Sequence, residues 1–260
     1  MAPTDDSDVM SMDLVAAACE AVERAERIVV LTGAGISTDS GIADFRGPNG
    51  LWTKNPAAEK AADLRFYLGD PEVRRAAWQN RLTTPAWTAE PNRGHAAIVE
   101  LERREQLHGL VTQNIDGLHQ KAGSDPDRVI EVHGTVWWTR CWDCQDRRAM
   151  DEALERVRTG EHDPPCLVCG GILKSDTISF GQALVPEVIE RAMRVSDECD
   201  LLIAVGSTLS VFPAANCVPR ASAGGATIVI VNGAETAMDR YADWLLVGQI
   251  GEILPALVDR

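Results

Sequence analysis

The sequence predicts an α/β protein: a doubly wound, mostly parallel sheet carrying a smaller cysteine-bearing module and a helical lid. Three observations support this. Short runs rich in β-branched residues recur without the in/out alternation of a sheet with one wet face, amphipathic helical stretches fall between them, and two Cys-x-x-Cys pairs interrupt the pattern. At 260 residues and 45% hydrophobic, the chain can bury one large core and a smaller one.

The opening, "MAPTDDSDVMSMDL", is acidic and lacks the basic and apolar regions of a signal peptide, so the first ten residues are expected to be mobile. An amphipathic helix follows over residues 13–26, and "RIVVLTG" is the first strand, broken at Gly33-Ala34-Gly35. Residues 44–93 hold no convincing strand. A Gly/Pro/Asn-rich opening and helical pieces such as "DPEVRRAAWQNRL" mark them as a lid-like insertion that includes the cofactor-binding loop named below. A helix over 94–104 leads to the strands "GLVTQN" and "RVIEVHG". Residues 137–180 form the cysteine-bearing module. Beyond it come a helix over 186–197, the strands "DLLIAVGS", "TIVIVNG" and "DWLLVG", and a last helix over 252–257. Strand and helix in repetition make residues 12–136 and 181–260 a Rossmann-like domain.

Lys+Arg 25 against Asp+Glu 39 leaves a net charge of -14, which repels phosphate backbones and anionic lipid and favours cationic protein segments as partners. No nucleic acid and no membrane are expected, since no apolar run approaches the roughly 18 residues of a span. The chain is read as cytoplasmic. Cys141, Cys144, Cys166 and Cys169 form two C-x-x-C pairs separated by 21 residues, the spacing of a tetrahedral zinc ribbon. Four thiolates leave no open position, so the Zn2+ is structural. Cys19, Cys199 and Cys217 read as buried small hydrophobes.

Ligands of doubly wound folds bind outside the carboxyl ends of the strands, and the suggestive residues fall there. Gly33-Ala34-Gly35 lacks the third glycine of a dehydrogenase fingerprint, because Thr38 stands in its place, and no acidic residue ends a second strand. Either a dinucleotide lies here in an unusual pose or the glycines make only a tight turn. Asn114 and Asp116 in "TQNIDGLH" either cap a helix or recognise a ligand. His133, before Gly134 at a strand end, has the pKa range of a general base. No G-x-S-x-G elbow and no cysteine at an electropositive strand end supply a nucleophile for hydrolysis.

"GAGIST" with "GIADFRGPNGLW", "TQNIDGLH", "EVHG", the two cysteine pairs, "ISFGQ", "GSTLSVFP" and "IVNG" occur in the order found in the sirtuins. From about residue 22 to 257 the chain resembles that family of NAD-dependent protein lysine deacylases. The resemblance implies that the loop over 43–52, with Asp44, Phe45, Arg46 and Trp52, closes over NAD, Phe45 and Arg46 lying beside the nicotinamide ribose. It places Gly33, Ala34, Gly35 and Thr38 at the pyrophosphate, and Gly206, Ser207, Thr208, Asn232 and Gly233 at the phosphate and adenosine. Ile250, with Gln249, would border the adenine, and Gln113, Asn114, Ile115 and Asp116 would define the nicotinamide pocket.

By the same resemblance, the acyl oxygen of a substrate lysine attacks the anomeric carbon as nicotinamide leaves, and His133, with Asn114, completes transfer of the acyl group to ADP-ribose. NAD is consumed as a co-substrate. An acyl-lysine protein or peptide is expected to add as a strand between "ISFGQ" and "TLSVFP", its side chain lined by Phe180, Gly181 and Val211. Two departures bear on the acyl group. Ser175 stands where most deacetylases have proline, as in the branch containing the slow nuclear vertebrate sirtuins, and "AAWQNR" offers Trp78 and Arg81 only loosely in place of the Tyr-x-x-Arg of desuccinylating relatives. Deacetylation is therefore the leading expectation and acidic acyl groups are not expected. Mono-ADP-ribosyl transfer and a non-enzymatic NAD-sensing zinc module are the alternatives.

Overall fold

The structure is a computed structural model that describes residues 6–44, 50, 54 and 62–258, with side chains described from residue 14 onward. Its elements in chain order are α1 (Asp6–Arg24), β1 (Ile28–Thr32), α2 (Leu64–Gly69), α3 (Pro71–Leu82), α4 (Arg93–Arg103), β2 (Leu107–Thr112), α5 (Leu118–Ala122), β3 (Val129–Glu131), β4 (Gly134–Cys141), β5 (Arg147–Ala149), α6 (Met150–Arg158), β6 (Leu173–Thr177), α7 (Pro186–Glu198), β7 (Leu201–Val205), α8 (Cys217–Ala223), β8 (Thr227–Asn232), β9 (Trp244–Val247) and α9 (Ile250–Val258).

Six strands pair in parallel in the order β3-β2-β1-β7-β8-β9, so each of the six runs read from the sequence is a strand of the main sheet. The uniform hydrophobicity of these runs has a direct cause. Ile28 and Val30 of β1 enter one core and Val29 and Leu31 enter the other, and β7 and β8 divide their side chains the same way. With both faces buried, no position along the strand is left for a polar alternate. Helices α1, α4 and α9 cover the first face, and α7 and α8 cover the second.

Helix α1 extends from Asp6, so part of the segment expected to be mobile is helical. Val15, Ala18, Cys19 and Val22 recur on one side of α1 and pack against the core shared with α9, which anchors the helix well beyond its first turn.

The cysteine-bearing segment forms a second, antiparallel sheet in the order β5-β4-β6, whose pairing begins at Gly134 with Thr177. A third core joins it to the insertion: Trp78 of α3, fully buried, packs with Cys141, Met150, Leu154, Val157, Cys166 and Leu173. Asp70 caps α3 by accepting from the Glu72 N–H at 2.9 Å, and Pro71 at the first position fixes its start. The helical lid thus packs on the small module.

Candidate active site

The chain runs β1-β2-β3 in one direction across the sheet and β7-β8-β9 in the other, so β1 and β7 flank the topological switch point, where doubly wound folds open a crevice. The two strand ends are tied there. Gly33 N–H donates to Val205 O at 2.9 Å and Gly35 N–H to Gly206 O at 2.8 Å. A Cβ on Gly33 would lie 2.7 Å from Gly206 O, one on Gly35 2.7 Å from Gly206 Cα, and one on Gly206 2.5 Å from Ile36 N. These glycines are required by backbone packing between two loops, whatever ligand lies above them. Thr38, in place of a third glycine, donates its hydroxyl to Gly35 O at 2.9 Å and closes the turn.

Above this junction lies a cavity of about 1380 Å³. A pocket for one small ligand is commonly about 300–1,000 Å³, so there is room for a dinucleotide together with a second substrate group. Gly33, Ala34, Gly35, Thr38, Asp44, Gln113, Asn114, Ile115, His133, Gly206, Ser207, Thr208, Asn232, Gly233 and Ile250 all line it, as do Phe180, Gly181 and Val211. The expected site residues from five strand ends are therefore brought together. Phe45, Arg46 and Trp52 lie outside the described residues.

Asp116 differs. Its buried carboxylate does not line the cavity but accepts from Ser37 Oγ at 2.8 Å and from the Leu118 N–H at 3.0 Å, at the start of α5. Burial raises its pKa, and these two donors act in the opposite sense. Asn114 connects to it from the cavity side: Nδ2 donates to Gly33 O at 3.1 Å and to Ser37 Oγ at 3.2 Å. Because the Ser37 hydroxyl donates its hydrogen bond to Asp116, it can only accept from Asn114, and the three side chains form a one-way chain that fixes which end of the Asn114 amide is turned inward. Both amide hydrogens are engaged, leaving Oδ1 as the acceptor available to a ligand.

His133 Nδ1 lies 3.0 Å from Gln113 O, an acceptor only, so Nδ1 carries the proton and Nε2 the lone pair. Burial lowers the pKa of the ring, and the Gln113 carbonyl partly restores it. The result is an oriented, neutral imidazole with a free basic nitrogen. Gln113 is itself held across the switch point, its Nε2 donating to Ser207 Oγ at 2.9 Å.

Behind the Asn114 wall is a polar layer that sequence reading did not find. Thr32 Oγ1 donates to Thr112 Oγ1 at 2.8 Å, Thr112 Oγ1 accepts the Asn114 N–H at 3.0 Å, and His119 Nε2 lies 3.0 Å from Thr32 Oγ1. His119 and His95 are buried with ring centroids 5.0 Å apart, and burial pushes their pKa values down to about 3 and about 4.

Sequence reading also missed the far wall of the cavity, where Tyr67, Asn80, Trp87, Lys174 and Thr177 join Arg81 and Ser175. Lys174 is 4% exposed, and burial pushes its pKa down to about 8, with the charge of Arg81 adding to the effect. A lysine inside the strand "LKSDT" is the one local signal that could have drawn attention to this wall. The expected peptide track meets a prior pairing at one point: Phe180 N–H donates to Ala62 O and Leu64 N–H to Phe180 O, each at 2.9 Å.

The Sγ atoms of Cys141, Cys144, Cys166 and Cys169 all lie within 4.8 Å of one another, with 3.5 Å between Cys141 and Cys169 and 3.7 Å between Cys144 and Cys166. A tetrahedron of thiolates about 2.3 Å from zinc has S···S edges of about 3.8 Å, so the donor set fits the metal. None of the four lines the cavity, as a structural ion requires.

A dinucleotide-sized crevice at the switch point, an oriented imidazole and a four-thiolate module on one α/β chain define a nucleotide-dependent transferase-like enzyme with a structural metal. The Sir2 family model matches residues 33–213, and the chain belongs to that family. NAD-dependent protein deacetylase 2 of Streptomyces coelicolor is 47% identical over 231 residues, covering 89% of this chain and 96% of that protein. NAD-dependent protein deacylase 2 of Pyrobaculum aerophilum is 39% identical, over 89% of each. Among solved structures, one from a study of the mechanism and regulation of Sir2 enzymes superposes with a TM-score of 0.86 at 38% identity, covering 95% of this chain and 97% of that one. A Sir2–p53 peptide–NAD+ complex does so at 0.82 and 31% identity, covering 92% and 95%.

Proposed function

We propose that the protein is an NAD-dependent protein lysine deacylase that cleaves NAD to nicotinamide and transfers the acyl group of an acyl-lysine peptide to ADP-ribose. The observation that carries this reading is His133, held as a neutral base by Gln113 O in a cavity large enough for two substrates. NAD, when bound, supplies an anomeric carbon that becomes electrophilic as nicotinamide departs. Gly33, Ala34, Gly35, Thr38, Gly206, Ser207, Thr208, Asn232, Gly233 and Ile250 would hold its phosphates and adenosine, with Asp44, Phe45, Arg46 and Trp52 in the covering loop. Asn114 offers Oδ1 toward the nicotinamide side, beside Gln113 and Ile115, while Asp116 acts through Ser37 to orient that amide. His133 Nε2 accepts a proton from a ribose hydroxyl, and the Gln113 carbonyl stabilises the imidazolium that forms. Phe180, Gly181 and Val211 flank the acyl-lysine.

The proposed division assigns residues 12–136 and 181–260 to NAD binding, 137–180 to the zinc module and 44–93 to the cofactor loop and lid. Among the described residues no helix is long and apolar enough to cross a membrane. A cytoplasmic location is proposed from the thiols of Cys19, Cys199 and Cys217 beside a four-thiolate zinc set, cysteine usage typical of a reducing compartment. The test is nicotinamide release from NAD in the presence of acyl-lysine peptides, run beside His133→Ala. Acyl-dependent release with deacylated product from the wild type alone is expected; product formed equally by His133→Ala would overturn the assignment, and release without any acylated peptide would favour ADP-ribosyl transfer.

A further inference from the structure

Ile115, Val136 and Trp87 wall the cavity from three parts of the chain, and one residue outside that lining, Trp137, ties the three together. Its indole Nε1–H donates to Asp116 O at 2.7 Å. The backbone beside it adds a second bond, from the Val136 N–H to Ile115 O at 2.9 Å. The Trp137 ring stands edge-on to that of Trp87, with centroids 5.0 Å apart and planes at 72°. Trp87 in turn donates its Nε1–H to the Arg81 carbonyl at 2.6 Å, in the last turn of α3. Pocket loop, small sheet and lid therefore meet on one side chain.

The small sheet gives up regular pairing to make this junction. Gly134 of β4 pairs with Thr177 of β6, and Thr139 with Ser175, so β4 advances five residues while β6 advances two. The surplus is a bulge, and within it the Val136 N–H leaves the ladder and turns to Ile115. Trp138, next in the chain, takes a different neighbour: the Arg147 guanidinium lies 4.3 Å from its ring centroid. Gly117 is fitted to the indole as well as to its own φ of +74°, since a Cβ there would lie 2.5 Å from Trp137 Nε1. The turn that closes the pocket loop and starts α5 rests directly on the tryptophan.

We infer that Trp137 is a positioning residue for the acyl transfer: it fixes Ile115 and Asp116 against β4, and so sets the nicotinamide side of the cavity, without touching either substrate. This rests on the deacylase reading. Removing the indole N–H takes one of the two bonds from the loop, which carries Asn114 immediately upstream.

The experiment uses the full zinc-loaded chain and two conservative variants. Trp137→Phe keeps an aromatic ring and removes the N–H. Trp138→Phe makes the same exchange at the neighbouring residue, which lies outside the cavity lining. Acyl-dependent nicotinamide release is measured against peptide and against added nicotinamide. Trp137→Phe should lower kcat and raise the inhibition constant of nicotinamide, each about threefold to tenfold, the worth of one neutral hydrogen bond, with KM for peptide held within about twofold. Trp138→Phe should match the wild type in all three. A Trp137 that serves stability alone would lower Tm and leave kcat and the inhibition constant of the folded enzyme unchanged; that outcome overturns the inference, as does an equal effect of both variants.

Amide exchange without NAD separates the clamp from the deacylase reading. The Val136 N–H, protected by Ile115 O, should exchange at least about threefold faster in Trp137→Phe than in Trp138→Phe. If no acyl peptide yields nicotinamide, the deacylase reading fails, and faster exchange at Val136 still sustains Trp137 as the residue that holds this wall. Unchanged exchange sinks it whatever the turnover.

Discussion

Replacing His119 with glutamine should remove part of the protein's sensitivity to acid. His119 and His95 are buried and neutral, with pKa values of about 3 and about 4 against 6.5 in the unfolded chain. Because the folded values are the lower ones, the stability these groups contribute is fully present above pH 6.5 and is lost as pH falls, when the unfolded state takes up protons that the native state refuses. At pH 5 an unfolded histidine is almost wholly protonated and these two remain neutral, so each costs about 2 kcal/mol relative to pH 8, and the pair about 4 kcal/mol. Glutamine does not titrate, and its amide can still donate to Thr32 Oγ1 as His119 Nε2 does at 3.0 Å. Urea denaturation at pH 8 and pH 5 gives the loss for each protein. His119→Gln should lose about 2 kcal/mol less than the wild type between the two pH values. Contributions from carboxylates, thiolates and His133 are common to both proteins and cancel in the comparison. An equal loss in both would refute the claim that His119 is buried uncharged.

Further outcomes follow from the same geometry. Ser37→Ala breaks the hydrogen-bond chain from Asn114 to Asp116 and frees the amide to turn over, so kcat for acyl-dependent nicotinamide release should fall about tenfold to a hundredfold; wild-type turnover would show that this chain does not orient Asn114. Gly206→Ala puts a methyl 2.5 Å from Ile36 N at a φ of +63°, which should cost about 2 kcal/mol or more and lower Tm by several degrees, and an unchanged Tm would contradict the packing account of the strand-end glycines. Cys166→Ser, or a strong chelator, should melt the small sheet and, through the core around Trp78, loosen α3, visible as amide exchange in both; exchange confined to the cysteine loops would separate the metal from the lid.

The main sheet was legible because its central strands are buried on both faces, and the strand ends, where chemistry collects, could be read off directly as Gly33, Asn114, His133, Gly206 and Asn232. The sequence distinguished less well what lies in front of the cavity wall from what lies behind it. Asp116 and Asn114 are two residues apart with similar polarity, yet one lines the cavity and the other is sealed behind it, because the chain turns at Gly117, whose φ is +74°, to start α5. The His95–His119 layer joins two helices, and the contact from Arg81 to Ser175 joins the lid to the small sheet; neither has a periodicity or spacing that a single sequence displays. Trp78 read as part of a helical piece of the lid-like insertion, but only the fold shows that its partner is the cysteine module.

The core shared by α3 and the small module separates two kinds of heritable change. The residues of the far cavity wall border that core, around Trp78 and Leu173, whereas Asn114 and His133 follow the ends of strands β2 and β3 in the parallel sheet. Drift in the first can retune which modification is removed while the apparatus that removes it is left intact. Apart from the start of β4, which braces the pocket loop, the cysteine module then serves diversification: a metal-braced platform on which new substrate preferences can be tried without risking the reaction.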